Sequence, residues 1–241
     1  MRYAILADIH GNLDAFQSVL QDIENRGGAD ELWCLGDIVG YGPEPSACLA
    51  LLRQYPHVCV AGNHDWAAVG RIDTADFNPD AAAACKWTAG QLTSIDKDYL
   101  QKLPLMVTCG EFTLAHGSPR DPLNEYIFSA MIASGNFQSF GTAHCLVGHT
   151  HVPVVFSGAE GACRKASLPP ILQLSGGRSI INPGGVGQPR DGDPRASYAI
   201  YDDAERVICS YRIPYDIAAV QNKMSEAGLP EYLSLRLSEG L

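Results

Sequence analysis

The first third of the chain repeats one arrangement: a short apolar run, a polar loop, then an amphipathic segment. Tyr3 to Ala7 (YAILA) leads into DIHGN and then LDAFQSVLQDIENR, where Leu13, Phe16, Val19, Leu20 and Ile23 keep helical spacing. Gly27-Gly28 stops that segment. Leu32 to Leu35 is followed by GDIVGYGPEP and a second helical stretch, Pro45 to Gln54, with proline near its start. Val58 to Ala61 then ends in GNHD. The pattern is βαβαβ, and it predicts a parallel sheet with helical crossovers.

The rest of the chain reads differently. Trp66 to Lys102 looks helical, with one segment from Pro79 to Leu92 and another capped by Ser94. Leu105 to Cys109 and Phe112 to Ala115 flank Gly110-Glu111 and predict a hairpin. Pro122 to Ser134 reads as helix and Cys145 to Val147 as a strand. Mostly short strands follow (Val154 to Phe156, Ile171 to Leu174, Ser179 to Ile181, Ser197 to Tyr201, Val207 to Arg212). Helices over Ile217 to Ala227 and Glu231 to Leu237 finish the sequence. No linker, repeat or low-complexity segment interrupts it, so residues 1–241 are expected to form one α/β domain whose second half is richer in strands.

With 46% hydrophobic residues in 241, the chain can bury a full core. It has no run of eighteen apolar residues to span a membrane. MRYAILADIHGN lacks the basic region, long apolar run and cleavage site of a signal peptide, so a cytoplasmic enzyme is expected. Cys34, Cys59, Cys109, Cys145 and Cys209 lie in or beside apolar runs, without a CxxC pair. They read as small buried thiols rather than disulfide partners. A net charge of −10 argues against a basic surface that grips long nucleic acid. An anionic substrate remains compatible if bound metal ions supply local positive charge.

Polar residues concentrate where the apolar runs end. These positions are Asp8-Ile9-His10, Gly36-Asp37, Gly62-Asn63-His64-Asp65, Ala115-His116-Gly117 and Gly148-His149-Thr150-His151. Ligands of open α/β sheets bind outside the carboxyl ends of the strands. Taken singly, each cluster has an ordinary explanation: a turn made by Asp or Asn, a surface histidine, a packed imidazole. In an extended backbone His149 and His151 would point to the same side, and spacing alone leaves one metal, two metals or none. Together the clusters are harder to dismiss, because five of the seven histidines stand at these loops beside three Asp and an Asn.

In order, DxH, GDxxxYG, GNHD, His and GHTH resemble the motifs of the calcineurin-like metallophosphoesterase superfamily. GDIVGYGPEP, DFNPDAAAACKWTAGQL, HGSPRDPLNEY and INPGGVGQPRDGDPRASYAIYD resemble a prokaryotic branch of small phosphodiesterases similar to the YfcE type. Some members of that branch are described as dinucleoside-polyphosphate hydrolases. The resemblance covers nearly the whole chain. It departs at Asn182-Pro183-Gly184-Gly185-Val186-Gly187, where relatives usually read NPGSVG; the lost hydroxyl is expected to touch no ligand position.

The resemblance implies a four-layer α/β/β/α sandwich holding two divalent transition metal ions. Asp8, His10, Asp37 and His151 would hold one; Asp37, Asn63, His116 and His149 would hold the second, with Asp37 bridging. Mixed oxygen and imidazole donors suit Mn first, with Fe, Zn, Co or Ni as alternatives. Two such ions with two carboxylates and neutral histidines leave a cage about two charges positive, which attracts phosphate and hydroxide. Metal-bound hydroxide would then be the nucleophile. His64 would protonate or stabilise the leaving oxygen, and Asp65 would orient it. Gly11 and Asn12 would shape the first turn. Tyr41, Asn78, Arg120 and Arg190 are the candidates for touching substrate. His57 and His144, outside the motifs, are read as structural.

The leading reading is a dinuclear-metal-dependent phosphoric ester hydrolase acting on phosphodiester or phosphoanhydride bonds of small nucleotide-like substrates. A phosphomonoesterase, including a protein phosphatase, is the second reading. A non-catalytic scaffold of the same fold, like the retromer subunit, is the third. Intact Asp8, His10, Asp37, Asn63, His64, His116, His149 and His151 favour an enzyme. The expected partner is a small phosphorylated substrate, with neither long nucleic acid nor membrane; a homo-oligomer is left open.

Overall fold

The three opening strands pair in parallel, as the βαβαβ pattern requires. The structure is a computed structural model describing residues 1–159, 162–174 and 176–241. Its first half runs β1 (Arg2–Leu6), α1 (Leu13–Asn25), β2 (Glu31–Cys34), α2 (Pro45–Leu52), β3 (His57–Cys59), α3 (Asn63–Ala68), α4 (Pro79–Gln91), α5 (Ser94–Lys102), β4 (Met106–Cys109) and β5 (Phe112–Ala115). The second half runs α6 (Ala130–Asn136), β6 (His144–Leu146), β7 (Val154–Ala159), β8 (Ala162–Ser167), β9 (Ile171–Gln173), β10 (Ser179–Asn182), β11 (Ala196–Asp202), β12 (Val207–Ile213), α7 (Ile217–Glu226) and α8 (Glu231–Leu235), closing in a 3-10 turn, Arg236–Ser238.

These strands form two six-stranded sheets, ordered β3-β2-β1-β11-β12-β9 and β4-β5-β6-β10-β7-β8. The alternation of side chains along each strand dictates the layers. On β1, Ala4 and Leu6 face outward onto Phe16, Val19 and Leu49 of α1 and α2. Ile5 faces inward, where it meets Trp33, Phe112, Leu114, Leu146 and Ile181 between the sheets. On β6, Leu146 joins that inner core while Cys145 turns out onto Ala133 of α6. The result is the expected α/β/β/α stack, with helices packed on the outer face of each sheet.

The structure departs from the sequence reading at five places; one is residues 69–78, which lie within the stretch read as helical but form turns between α3 and α4. Helix α6 begins at Ala130, capped by Ser129, and residues 122–129 are not helical. The carbonyls of Asp121 and Pro122 accept from Ser118 and Gly117 N–H, which withdraws them from a helical ladder. Thr93, not Ser94, caps α5, through a capping box with Asp96. The last helical stretch divides into α8 and the 3-10 turn. Strand β8 has no apolar alternation and is held by its antiparallel ladder to β7.

All eight cysteines are free thiols. Among the described residues, no helix is long and apolar enough to cross a membrane.

Candidate functional site

The loops after β1, β2, β3, β5 and β6 converge at one edge of the two sheets. Among the described residues, seven that are not glycine have left-handed backbone, and six of these belong to the converging loops: Asp8, His10, Asp37, Tyr41, His149 and His151. Asp and His tolerate that region better than most residues, but it still costs about 1 kcal/mol or more each, so packing must hold them there. This corrects the extended geometry expected for GHTH. With φ of 66° and 57°, His149 and His151 turn into different clusters. The close approach also explains one glycine. A Cβ on Gly62 would lie 2.0 Å from Asp37 Oδ1, so no larger residue lets the third loop reach the second.

The first cluster joins Asp8, His10 and His151, all buried. His10 Nδ1 lies 3.1 Å from the Val39 carbonyl, and His151 Nδ1 meets the Gln188 carbonyl. A ring nitrogen facing a carbonyl must carry the proton, so both Nε2 atoms are bare acceptors. Yet these two atoms face each other at 3.2 Å, and His151 Nε2 lies 3.3 Å from Asp8 Oδ1. The second cluster joins Asp37, His116 and His149. His116 Nδ1 is occupied by the Leu35 carbonyl at 2.8 Å. Its Nε2 meets Asp37 Oδ2 at 3.3 Å, Asn63 Oδ1 at 3.1 Å and His149 Nδ1 at 3.0 Å. Asp37 Oδ2 also lies 3.7 Å from His10 Nε2, so one carboxylate adjoins both groups. Between His10 and His151 two bare ring nitrogens face each other, and they repel unless a cation lies between them; in both clusters the carboxylate oxygens and imidazoles outnumber the N–H groups that reach them. The donor set of oxygen and imidazole therefore fits divalent transition metal ions.

The electrostatics carry the same signature. Burial pushes His10, His149 and His151 well below their ordinary value, leaving their lone pairs free. Burial opposes protonation of His116 too, but the Asp37 and Asp8 carboxylates outweigh it and raise that imidazole to about 9. Burial and the neighbouring Asp37 charge raise Asp8 to about 7, while adjacent imidazoles hold Asp37 far down. The site calls for positive charge, and His116 is where a proton would supply it.

His64 stands at the start of α3, its backbone N–H donating to Asp37 Oδ1 at 2.9 Å. Its ring is packed among Tyr41, Phe77 and His10, its Nδ1 has no partner, and burial lowers it to about 4. Asp65 does not hydrogen-bond to it. Instead its two oxygens accept from the N–H groups of Gly62, Asp37, Ile38 and Val39 at 2.8–3.1 Å. Asp65 thus shapes the loop that carries Asp37, and the expected orientation of His64 by Asp65 is corrected. Asn12 does shape the first turn: its side chain caps α1 and donates to the Gly187 carbonyl.

A cavity of about 400 Å³ opens over His64, Asn63 and His149. Tyr41 and Asn78 line it, and Asn78 also caps α4. Arg190 sits beside it, its guanidinium 5.7 Å from the Tyr41 ring and anchored on Gln188. Arg120 is not brought to the cavity wall; it is half-exposed and pairs with Glu125. His57 bonds Tyr55 and Tyr99, and His144 bonds Ser179, away from the clusters. Sequence reasoning missed Phe77 and Tyr126, which line the cavity. Both lie inside the quoted segments DFNPD and HGSPRDPLNEY, so the signal was an aromatic residue within a motif. It also misjudged Gly185, which lies directly against the His151 ring.

Comparison with known proteins agrees with this geometry. The family model described as "calcineurin-like phosphoesterase superfamily domain" matches residues 1–206. A crystal structure of a metallophosphoesterase from Sphaerobacter thermophilus is similar at 47% identity and a TM-score of 0.89, covering 100% of this chain and 99% of that one. An uncharacterized protein of Methanocaldococcus jannaschii is 36% identical, over 98% of this chain and 97% of its own length. A symmetrical bis(5'-nucleosyl)-tetraphosphatase of Haemophilus ducreyi is 30% identical over 56% of this chain, and that match spans 52% of the enzyme. The chain belongs to the calcineurin-like phosphoesterase superfamily.

Proposed function

We propose that this protein is a dinuclear-metal-dependent phosphoesterase that hydrolyses phosphodiester or phosphoanhydride bonds of small nucleotide-like substrates. The observation that carries the reading is the pair of buried Asp/His clusters that both adjoin Asp37 beneath an open cavity, one of them with two bare imidazole nitrogens face to face. Asp8, His10, Asp37 and His151 would hold one ion; Asp37, Asn63, His116 and His149 would hold the other. Bound there, two divalent ions supply Lewis acidity to water and to phosphate oxygens. The carbonyls of Val39, Leu35 and Gln188 fix the tautomers of His10, His116 and His151, so each presents a lone pair.

His64 would serve the leaving group. Burial keeps its imidazole neutral, and a neutral ring donates one N–H to a leaving oxygen as negative charge develops there. Arg190 and Tyr41 would steady the non-reacting phosphate oxygens at the wall. The partial likeness to a bis(5'-nucleosyl)-tetraphosphatase supports a nucleotide-sized substrate, as does the cavity, which falls within the roughly 300–1,000 Å³ of small-molecule sites.

The test compares Mn²⁺-dependent hydrolysis of bis-(p-nitrophenyl) phosphate with that of p-nitrophenyl phosphate, for wild type and His64→Ala. Metal-dependent diester turnover that falls about 100-fold or more in the variant is expected. No metal-dependent turnover by wild type sinks the enzyme reading. Full activity in the variant sinks the role of His64. Faster monoester turnover would favour a phosphomonoesterase.

A further inference from the structure

Two aromatic walls rise from the cavity floor, and neither is explained by hydrolysis of a phosphate. Phe77 comes from the loop before α4, and Tyr126 from the loop before α6. Tyr126 lies flat on the His149 imidazole, with ring centroids 3.6 Å apart, and Phe128 stacks parallel to Tyr126 at 5.3 Å and 4°. Phe77 packs against His64 on the other side, at 5.0 Å. Tyr126 is 39% exposed and Phe128 53%, so this stack presents aromatic surface to water instead of burying it. Exposed aromatic surface beside a polar site is a feature of ligand recognition rather than of core packing.

The polar groups between the walls suit the edge of a flat heterocycle. Asn78 gives its side-chain oxygen to the Ala81 N–H, which leaves the amide N–H₂ free to donate. Asp76 and Asn124 line the same rim, and Asp76 has no cationic partner among the described residues. An unpaired carboxylate disfavours a further phosphate at this end and accepts from ring or exocyclic N–H groups.

We infer that Phe77 and Tyr126 form a nucleobase subsite, in which a base stacks on Phe77 and meets the exposed edge of Tyr126, whose faces are taken by His149 and Phe128, while its phosphate reaches the floor at Asn63, His64 and His149. The inference rests on the phosphoesterase reading for what occupies that floor. It assigns Tyr126 and Phe77 to substrate selection, since base–aromatic stacking is strong and every base offers a π-face.

The test is calorimetric titration of the full chain in Mn²⁺ with AMP and with ribose 5-phosphate, which keeps the sugar and phosphate and lacks the base. Wild type is expected to bind AMP at least about tenfold more tightly. Tyr126→Leu and Phe77→Leu should each collapse that ratio toward one, and Tyr126→Phe should keep it. Melting curves confirm that each variant is folded. Equal affinities in wild type, or a ratio untouched by both leucine variants, overturn the subsite. The two readings separate cleanly. An AMP preference without turnover of bis-(p-nitrophenyl) phosphate supports the subsite and removes the hydrolase; turnover without the preference does the reverse.

Discussion

The Nε2 atoms of His10 and His151 face each other at 3.2 Å, while the Nδ1 of each ring is occupied by a backbone carbonyl. Neither ring can donate across that gap. An ion bound there would turn mutual repulsion into shared attraction, so the folded chain should be measurably more stable with metal than without. For chelator-treated protein, Mn²⁺ at a hundred times its dissociation constant is expected to add about 2.7 kcal/mol per site. In a chain of this size that raises the melting temperature by roughly 5–10 °C for each site filled. Calorimetric titration should count two ions in wild type and fewer in His151→Ala. A melting temperature indifferent to Mn²⁺ would remove the metal reading altogether.

Asp65 supports the site from beneath. Oδ2 accepts from Asp37 and Gly62 N–H, and Oδ1 from Ile38 and Val39 N–H. In Asp65→Asn, whichever oxygen becomes an amide nitrogen turns two buried N–H groups into unsatisfied donors. At roughly 1–3 kcal/mol each, the expected loss is about 3 kcal/mol, read by urea unfolding. Metal affinity should fall with it, because the loop carries Asp37. A variant as stable as wild type would show that these four bonds hold nothing in place.

That arrangement marks how far the sequence could be read. The parallel strands and their polar ends were legible because apolar runs, helical spacing and glycine stops act locally. DxH, GD, GNHD and GHTH could be placed after strands for the same reason. The role of Asp65 was not legible, since its partners at positions 37–39 come from another loop and are backbone groups common to every residue type. The left-handed backbone at His149 and His151 was hidden likewise: long-range packing imposes it, against local preference. Residues 122–129 misled because their helical composition is overruled by two hydrogen bonds from Gly117 and Ser118.

Gly185 is a further case in which a neighbour decides. A Cβ there would lie 3.1 Å from His151 Cβ and 3.2 Å from Cγ, closer than ordinary contact. The imidazole cannot swing away without losing the Gln188 carbonyl, and the Gly185 carbonyl is held by Ser197 N–H at 3.0 Å. Gly185→Ser asks only a few tenths of an ångström of His151, and Ser is the residue usual here in relatives, so both metal sites are expected to survive with Mn²⁺ affinity changed less than about tenfold. Titration with Mn²⁺ reads the change directly. Loss of one site would show that the ring and loop here cannot yield together.

Asp96, in the first turn of α5, gives the fold a pH dependence of its own. Asp96 accepts from Thr93 N–H and Oγ1, and from Arg53 Nη2 at 2.7 Å. Burial alone would raise its carboxyl, but these hydrogen bonds outweigh burial and hold it below the ordinary value. A depressed folded-state pKa stabilises the protein above the unfolded value, near 3.9, and that contribution disappears as pH falls through the folded value. Asp96→Asn keeps the shape, loses the charge and leaves the Arg53 guanidinium without its carboxylate. It should cost about 2 kcal/mol at pH 7, counting the cap and the charged hydrogen bond. Wild type and variant should converge below about pH 4, in urea unfolding followed from pH 7 to 3. Curves that stay parallel over that range would show that ionised Asp96 contributes nothing.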